Sequence, residues 1–340
     1  MLVFTPDALI RRFLCADMEV LAEICELTGV IDSRLSPSEM DARIGIMEDL
    51  ISILQPQLTN CTLCPRRCEV NRYQEPAGEC GLGVDIRVAS VACHKGEEPP
   101  ISGEEGAINV FFSGCNLHCL HCQNWPISQK RVGSTVTPEE LSARILKKWR
   151  RGMHSLGWVT PTPQIVGALE AYLLCLRNGF DLPLIHNNGG YENPEVVDHL
   201  SHVVDVWLPD AKTADDTQAA KIQGAPNYVI INLQAIAAMV NQVEEGNARA
   251  VIVRHMVMPA HLDDSRQVLN LLWDKFGSSI YLSLMGQYFP AFHTVNHGSL
   301  GRKLSEEEYN QVIEEARKIG FKQGWVQHYD TETGVLLDCL

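Results

Sequence analysis

Residues 107–125 read AINVFFSGCNLHCLHCQNW. The apolar run 107–112 is expected to form a buried strand, and Ser113-Gly114 the turn that ends it. Immediately beyond the turn, Cys115, Cys119 and Cys122 place three thiolates within eight residues, spaced C-x3-C-x2-C. Thiolates select zinc or iron-sulfur centres. A 4Fe-4S cluster with every iron held by protein takes four cysteines, so three leave one iron open to an outside molecule. A loop at the carboxyl end of a strand is also where α/β barrels keep their chemistry. The competing reading is a zinc knuckle completed by His118 and His121. Against it, zinc sites usually show two paired ligand groups at recognised spacings.

Outward from this stretch, apolar runs alternate with helical patterns, the mark of βα units and a parallel sheet. Strands are expected over 107–112, 156–159, 182–185, 203–208, 250–257 and 279–284. Helices are expected after the capping box that opens at Thr137, over 164–177, 195–201, 215–222, 228–240 and 262–276, and after Ser305. Six βα units fit a partial (β/α)6 TIM-like barrel better than a closed eight-stranded one. The fold class is therefore α/β, in three parts: helical over 1–57, Cys-rich over 58–104, and the barrel core over 105–340. In the first part, Leu9, Ile10, Phe13, Leu14, Leu21, Ile24 and Cys25 form one apolar stripe. A second helix there starts at Ser36-Pro37-Ser38-Glu39, where Ser36 can cap and Glu39 can close the box.

The Cys-rich part holds Cys61, Cys64, Cys68 and Cys80, spaced C-x2-C-x3-C-x11-C. Four thiolates can close a coordination sphere, and zinc or an iron-sulfur cluster satisfies the spacing equally. A closed site leaves no room for substrate, so its expected role is structural or electron-relaying. Cys93 and His94 are reserve ligands, and Arg66 and Arg67 read as solvated charge. Cys15, Cys25, Cys175 and Cys339 read as fillers of apolar faces.

Of 340 residues, 28 are Lys or Arg and 42 Asp or Glu, a net charge of -14. That balance argues against binding to nucleic acid or anionic membrane. There is no run of eighteen apolar residues, and the start MLVFTPDALIRRFL lacks the features of a signal peptide. A cytoplasmic location is expected, where clustered cysteines favour metal over disulfides.

The spacing of the triplet and the strand before it resemble the radical S-adenosylmethionine (SAM) superfamily. CTLCPRRC, GEEPPISG at 96–103, FFSGCNLHCLHCQN, WVTPT at 158–162 and LPDAKTADD at 208–216 resemble the pyruvate formate-lyase-activating-enzyme-like proteins of the PflX type. GAPNY, VRHMVMP, YLSLMGQYFPA, LSEEEY and GWVQ follow in the same order. The resemblance implies a radical SAM barrel and a 4Fe-4S cluster on Cys115, Cys119 and Cys122 that chelates SAM. The implied chemistry is reductive cleavage of SAM to a 5'-deoxyadenosyl radical, which abstracts hydrogen from a substrate. It also implies a reducing donor such as flavodoxin or ferredoxin, and a protein or peptide substrate if the enzyme is a glycyl-radical activase.

Carried over residue by residue, SAM contacts are expected from Thr160 and Thr162, which stand where activases have a carboxylate-bearing stretch. Asn187, Asn188, Asp210, Lys212 and Arg254 are further expected contacts. Tyr288, His293 and His297 could meet substrate, and His121 stands where the superfamily commonly has an aromatic residue. The alternative function is a non-catalytic zinc or iron-sulfur redox module.

Overall fold

The computed structural model describes residues 31, 34–74, 78–330 and 334–339. The apolar stripe expected over 9–25 lies outside them. The second expected helix is α1, Pro37–Leu54, with Ser36 and Glu39 forming the capping box. It is fastened to the core by Arg43, which donates to the Tyr172 hydroxyl and to both oxygens of buried Asp205.

All six expected strands are present, in one ten-stranded sheet. Seven strands run parallel: β2 (Ala107–Phe112), β4 (Ser155–Val159), β5 (Leu184–Asn188), β6 (Val206–Pro209), β7 (Ala250–Met256), β8 (Tyr281–Met285) and β9 (Gly324–Asp330). Antiparallel strands flank them: β1 (Ile86–His94) beside β2, β3 (Ser134–Val136) beside β1, and β10 (Gly334–Cys339) beside β9. Strands β1, β3, β9 and β10 went unread. In β1, IRVASVACH alternates as a half-exposed strand should, but short polar breaks on either side hide it. Strand β5 runs past its apolar residues through Asn187 and Asn188, because both pair with neighbours: Val159 faces Asn187, and Asn188 faces Pro209.

Helices α2 (Pro138–Trp149), α3 (Ile165–Arg177), α4 (Pro194–His199), α5 (Tyr228–Glu244), α6 (Leu262–Phe276) and α7 (Glu306–Ile319) connect the parallel strands. Capping boxes at Thr137 with Glu140 and at Ser305 with Glu308 start α2 and α7. From β2 and β4 an aromatic chain runs into the core: Phe112, Trp158, Tyr172 and Phe180 meet edge to face at centroid distances of 6.5, 5.7 and 6.1 Å.

Strand β2 stands five places from β8, about 24 Å on a flat sheet at roughly 4.8 Å per strand. Residues at the carboxyl ends of both nevertheless line one cavity. The sheet is therefore curled into a partial barrel, with β3 and β10 as its open edges. No helix among the described residues is long and apolar enough to cross a membrane.

Candidate active site

The loop after β2 is shaped by its own small residues. Gly114 has φ +85°, and a Cβ there would run into Leu82. Cys115 Sγ accepts from the Leu117 amide at 3.3 Å, and Cys122 Sγ lies 3.1 Å from the Ser128 hydroxyl. Cys115, Cys119 and Cys122 all face one cavity of about 220 Å³ at the carboxyl end of the sheet. Burial pushes the Cys119 thiol up to about 12, against the pull of Lys212. Burial raises the Cys115 thiol as well, with neighbouring Cys119 adding to it. Thiols that resist ionisation become thiolates when a cation binds them, so this donor set suits an iron-sulfur centre. The side chains are not drawn together for it: no group of three or more His, Cys, Asp or Glu among the described residues is set to hold a metal ion. Ligation requires the three thiols to turn toward one another.

His121 carries the second sign of a ligand. It is 4% exposed, lines the cavity, and its Nδ1 has no hydrogen-bond partner. Burial, with Lys212 and His261 nearby, pushes its imidazole down to about 3, so the ring is neutral at physiological pH. An unpartnered ring nitrogen is a free recognition point for a heterocycle such as adenine.

Thr160, Asn187, Asn188, Asp210, Lys212 and Arg254 line the same cavity, near the carboxyl ends of β4, β5, β6 and β7. Thr160 has φ +56° and donates its amide to the Asn187 carbonyl. Asn188 is tied into its own turn: its oxygen accepts from Gly190, and its amide meets His186 Nδ1. Gly190, at φ +72°, admits no side chain, because a Cβ would overlap the Asp210 carbonyl. Thr162 does not line the cavity. Its hydroxyl donates 2.7 Å to Glu192, whose carboxyl burial pushes up to about 8.

Lys212 and Asp210 form an ion pair at 2.5 Å, with side chains 18% and 23% exposed. Burial opposes the Lys212 charge, but Asp210 and Cys119 outweigh it and hold the ammonium above its ordinary value. Arg254 is differently placed. It reaches back to Glu97 and Glu98, donating from Nε at 2.7 Å and from Nη2 at 2.5 and 2.6 Å. Asn109 and His94 also meet Glu97, at 2.6 and 3.0 Å. GEEPPISG thus brings two carboxylates to the β7 arginine. That partnership was hidden because it joins residues 156 and 157 apart in sequence.

Several lining residues had no sequence signal. Met256, Met258 and Met285 form an apolar wall, and Gln123, Asn124 and Gln287 line the cavity as polar residues. The segment after β8 is latched over the cysteine loop: Gln123 donates to the Gln287 carbonyl at 3.0 Å, and Phe292 stacks on Trp125 at 5.3 Å. Tyr288 is buried, bonded to the Leu300 carbonyl, and its ring lies 6.1 Å from His121. His293 and His297 are exposed and lie outside the cavity lining.

Cys61, Cys64, Cys68 and Cys80 line a separate, small cavity of about 20 Å³. Cys93 and His94 lie elsewhere, on β1. Arg66 is not the solvated charge expected. It donates to the Asn116 carbonyl at 2.8 Å and to the Gly224 carbonyl, and lies 5.3 Å from the Tyr191 ring.

Residues 109–272 match the radical SAM superfamily. The chain is 28% identical over 293 residues to an uncharacterized protein of Methanocaldococcus jannaschii, covering 84% of this chain and 80% of that one. To pyruvate formate-lyase 1-activating enzyme of Escherichia coli it is 25% identical over 161 residues, 46% of this chain and 62% of the enzyme, so it spans less than two thirds of that relative. A solved radical SAM methyltransferase from Sphaerobacter thermophilus aligns with a TM-score of 0.48 at 17% identity, over 64% of this chain and 65% of that one. The chain carries a radical SAM domain. That domain is homologous to the pyruvate formate-lyase-activating enzymes, and membership implies a 4Fe-4S cluster and SAM.

Proposed function

We propose that the protein is a radical SAM enzyme of activating-enzyme type, with Cys115, Cys119 and Cys122 as cluster ligands. The observation that carries this reading is that three cysteines and the Lys212–Asp210 pair line one cavity at the strand ends. Bound there, a 4Fe-4S cluster and SAM supply reductive cleavage to a 5'-deoxyadenosyl radical that abstracts hydrogen from a substrate. The protein's own part is to bind, orient and shield. Lys212 offers a point charge to the SAM carboxylate, and Asp210 accepts from ribose hydroxyls or holds a cation. Thr160, Asn187 and Asn188 offer further polar groups, while Met256, Met258 and Met285 give the lining apolar surface that excludes water. Arg254, already engaged by Glu97 and Glu98, keeps the β7 end in place.

Homology to an activating enzyme favours a polypeptide as substrate and a low-potential donor such as flavodoxin or ferredoxin as partner, in the cytoplasm. The test is formation of 5'-deoxyadenosine after anaerobic reconstitution with iron and sulfide, dithionite reduction and addition of SAM. Product dependent on both reductant and SAM supports the enzyme. A protein that takes up zinc at the triplet and releases no deoxyadenosine is instead a non-catalytic metal module.

Lys212→Met is expected to weaken SAM binding by roughly 1 to 3 kcal/mol, the range for losing a charge-assisted hydrogen bond, with iron content unchanged. Equilibrium binding to the reconstituted variant reads this directly. An affinity equal to wild type would place SAM away from this strand.

A further inference from the structure

We propose that Cys61, Cys64, Cys68 and Cys80 bind one zinc-class divalent ion, which staples a brace against the outer side of the loop carrying Cys115, Cys119 and Cys122. The ion is argued from the cysteines alone. The brace rests on the radical SAM reading of the loop it holds.

The four thiols share a cavity of about 20 Å³. Like the triplet, these thiols must turn inward to ligate; the space between them takes about one water-sized sphere, which suits a single ion better than a cube of four irons and four sulfides. The sulfurs sit on tight turns, where the Glu79 amide meets Cys68 Sγ at 3.4 Å. The turns that present them are closed by Arg67 N–H to the Cys64 carbonyl at 3.0 Å and Gly81 N–H to the Gly78 carbonyl at 2.8 Å. Arg67 and Gly81 hold φ of +41° and +62°. Crossed backbone bonds between Cys61 and Val70 and between Glu69 and Cys61 bring the first and third cysteines together. Arg66 and Arg72 line the cavity and offset the negative charge of four thiolates.

This segment needs a staple. Among the described residues of 60–85 there is no helix and no strand. A chain of that kind gains order from a metal that supplies folding energy directly.

What it braces follows from an alternation in the cysteine loop. Cys115, Leu117 and Cys119 face the large cavity. The residues between and before them face the Cys-rich segment: Gly114 lies against Leu82, the Asn116 carbonyl accepts from Arg66, and His118 Nε2 meets Glu79 at 2.9 Å. Arg131 adds a bond to the Cys80 carbonyl at 3.4 Å, and Asn193 one to the Thr62 carbonyl at 3.1 Å. One face of the loop offers thiols and the other is gripped at every second residue.

The ion is tested on the full chain carrying Cys115→Ala, Cys119→Ala and Cys122→Ala together. The expected result is one zinc per chain, replaceable by cobalt(II) with the charge-transfer and tetrahedral absorption of a thiolate site. Adding Cys64→Ser should remove both. No stoichiometric zinc or cobalt in the triple variant, or iron and sulfide in cluster proportion after reconstitution, overturns the single-ion site. The brace is tested by Arg66→Ala, whose residue is not a ligand. Zinc should stay at one per chain while amides of 114–122 exchange about tenfold faster or more, as loss of charge-assisted bonds implies. Unchanged exchange overturns the brace. Failure to detect deoxyadenosine would count against the radical reading and leave the zinc result standing.

Discussion

Cys115→Ala is expected to abolish reductive cleavage of SAM while the protein stays folded. A cluster on three cysteines has no ligand to spare. The loss should exceed the roughly 10- to 100-fold that removal of an outer-shell partner costs a metal site. The fold should survive because the triplet lies in a loop apart from the core between sheet and helices. Deoxyadenosine release after reconstitution, with circular dichroism alongside, separates the two effects. Release at the wild-type rate by this variant would sink the assignment, and Cys119→Ala and Cys122→Ala should behave alike.

Arg254→Met is expected to cost about 3 to 5 kcal/mol of stability, the range for breaking a buried ion pair from one side. Glu98 and the Arg254 side chain are 2% and 12% exposed, so removing the guanidinium leaves Glu98 buried without its cation and Glu97 with His94 alone. The pH dependence has a definite sign. Burial would raise the Glu97 carboxyl, but Arg254 and His94 outweigh it and hold it well below the usual carboxylate range. Its contribution to stability is therefore present above the pH where an unfolded carboxyl titrates, and is lost as pH falls through the folded value. In Arg254→Met the deficit should be largest near neutrality and shrink in acid. Adding Glu97→Gln and Glu98→Gln should restore much of the loss. Denaturant unfolding at pH 7 and pH 4.5 measures both, and a deficit under about 1 kcal/mol would mean that the carboxylates find other partners.

How the cavity is closed bears on the substrate. The Trp125–Phe292 stack and the Gln123–Gln287 bond join the cysteine loop to the segment after β8. A polypeptide entering as it would in an activase must pass beside this latch or displace it. Phe289 and Val295, at 44% and 57% exposed, are apolar groups on the same segment.

The sequence by itself determined most local elements and the cysteine triplet with its place after a strand. Periodicity and caps act within a few residues, so six strands, the boxes at Ser36, Thr137 and Ser305, and a C-x3-C-x2-C loop after a strand were legible. A strand that pairs with polar partners was not, since Asn187 and Asn188 are held extended by their neighbours and not by their own preference. Strand β1, set between β2 and the edge strand β3, and the added parallel strand β9 were missed for a related reason: pairing with neighbours decides them. Tertiary structure alone decided which charges meet. Arg254 and Lys212 look alike as cations at strand ends. Glu97 and Glu98, on a segment far back in the chain, occupy the first, while the second keeps only Asp210 and stays partly open to the cavity. Arg66 looks like surface charge until the curled sheet brings the Asn116 carbonyl to it, 50 residues away. Such contacts depend on chain crossings set by burial of the whole core, and no window of sequence contains them.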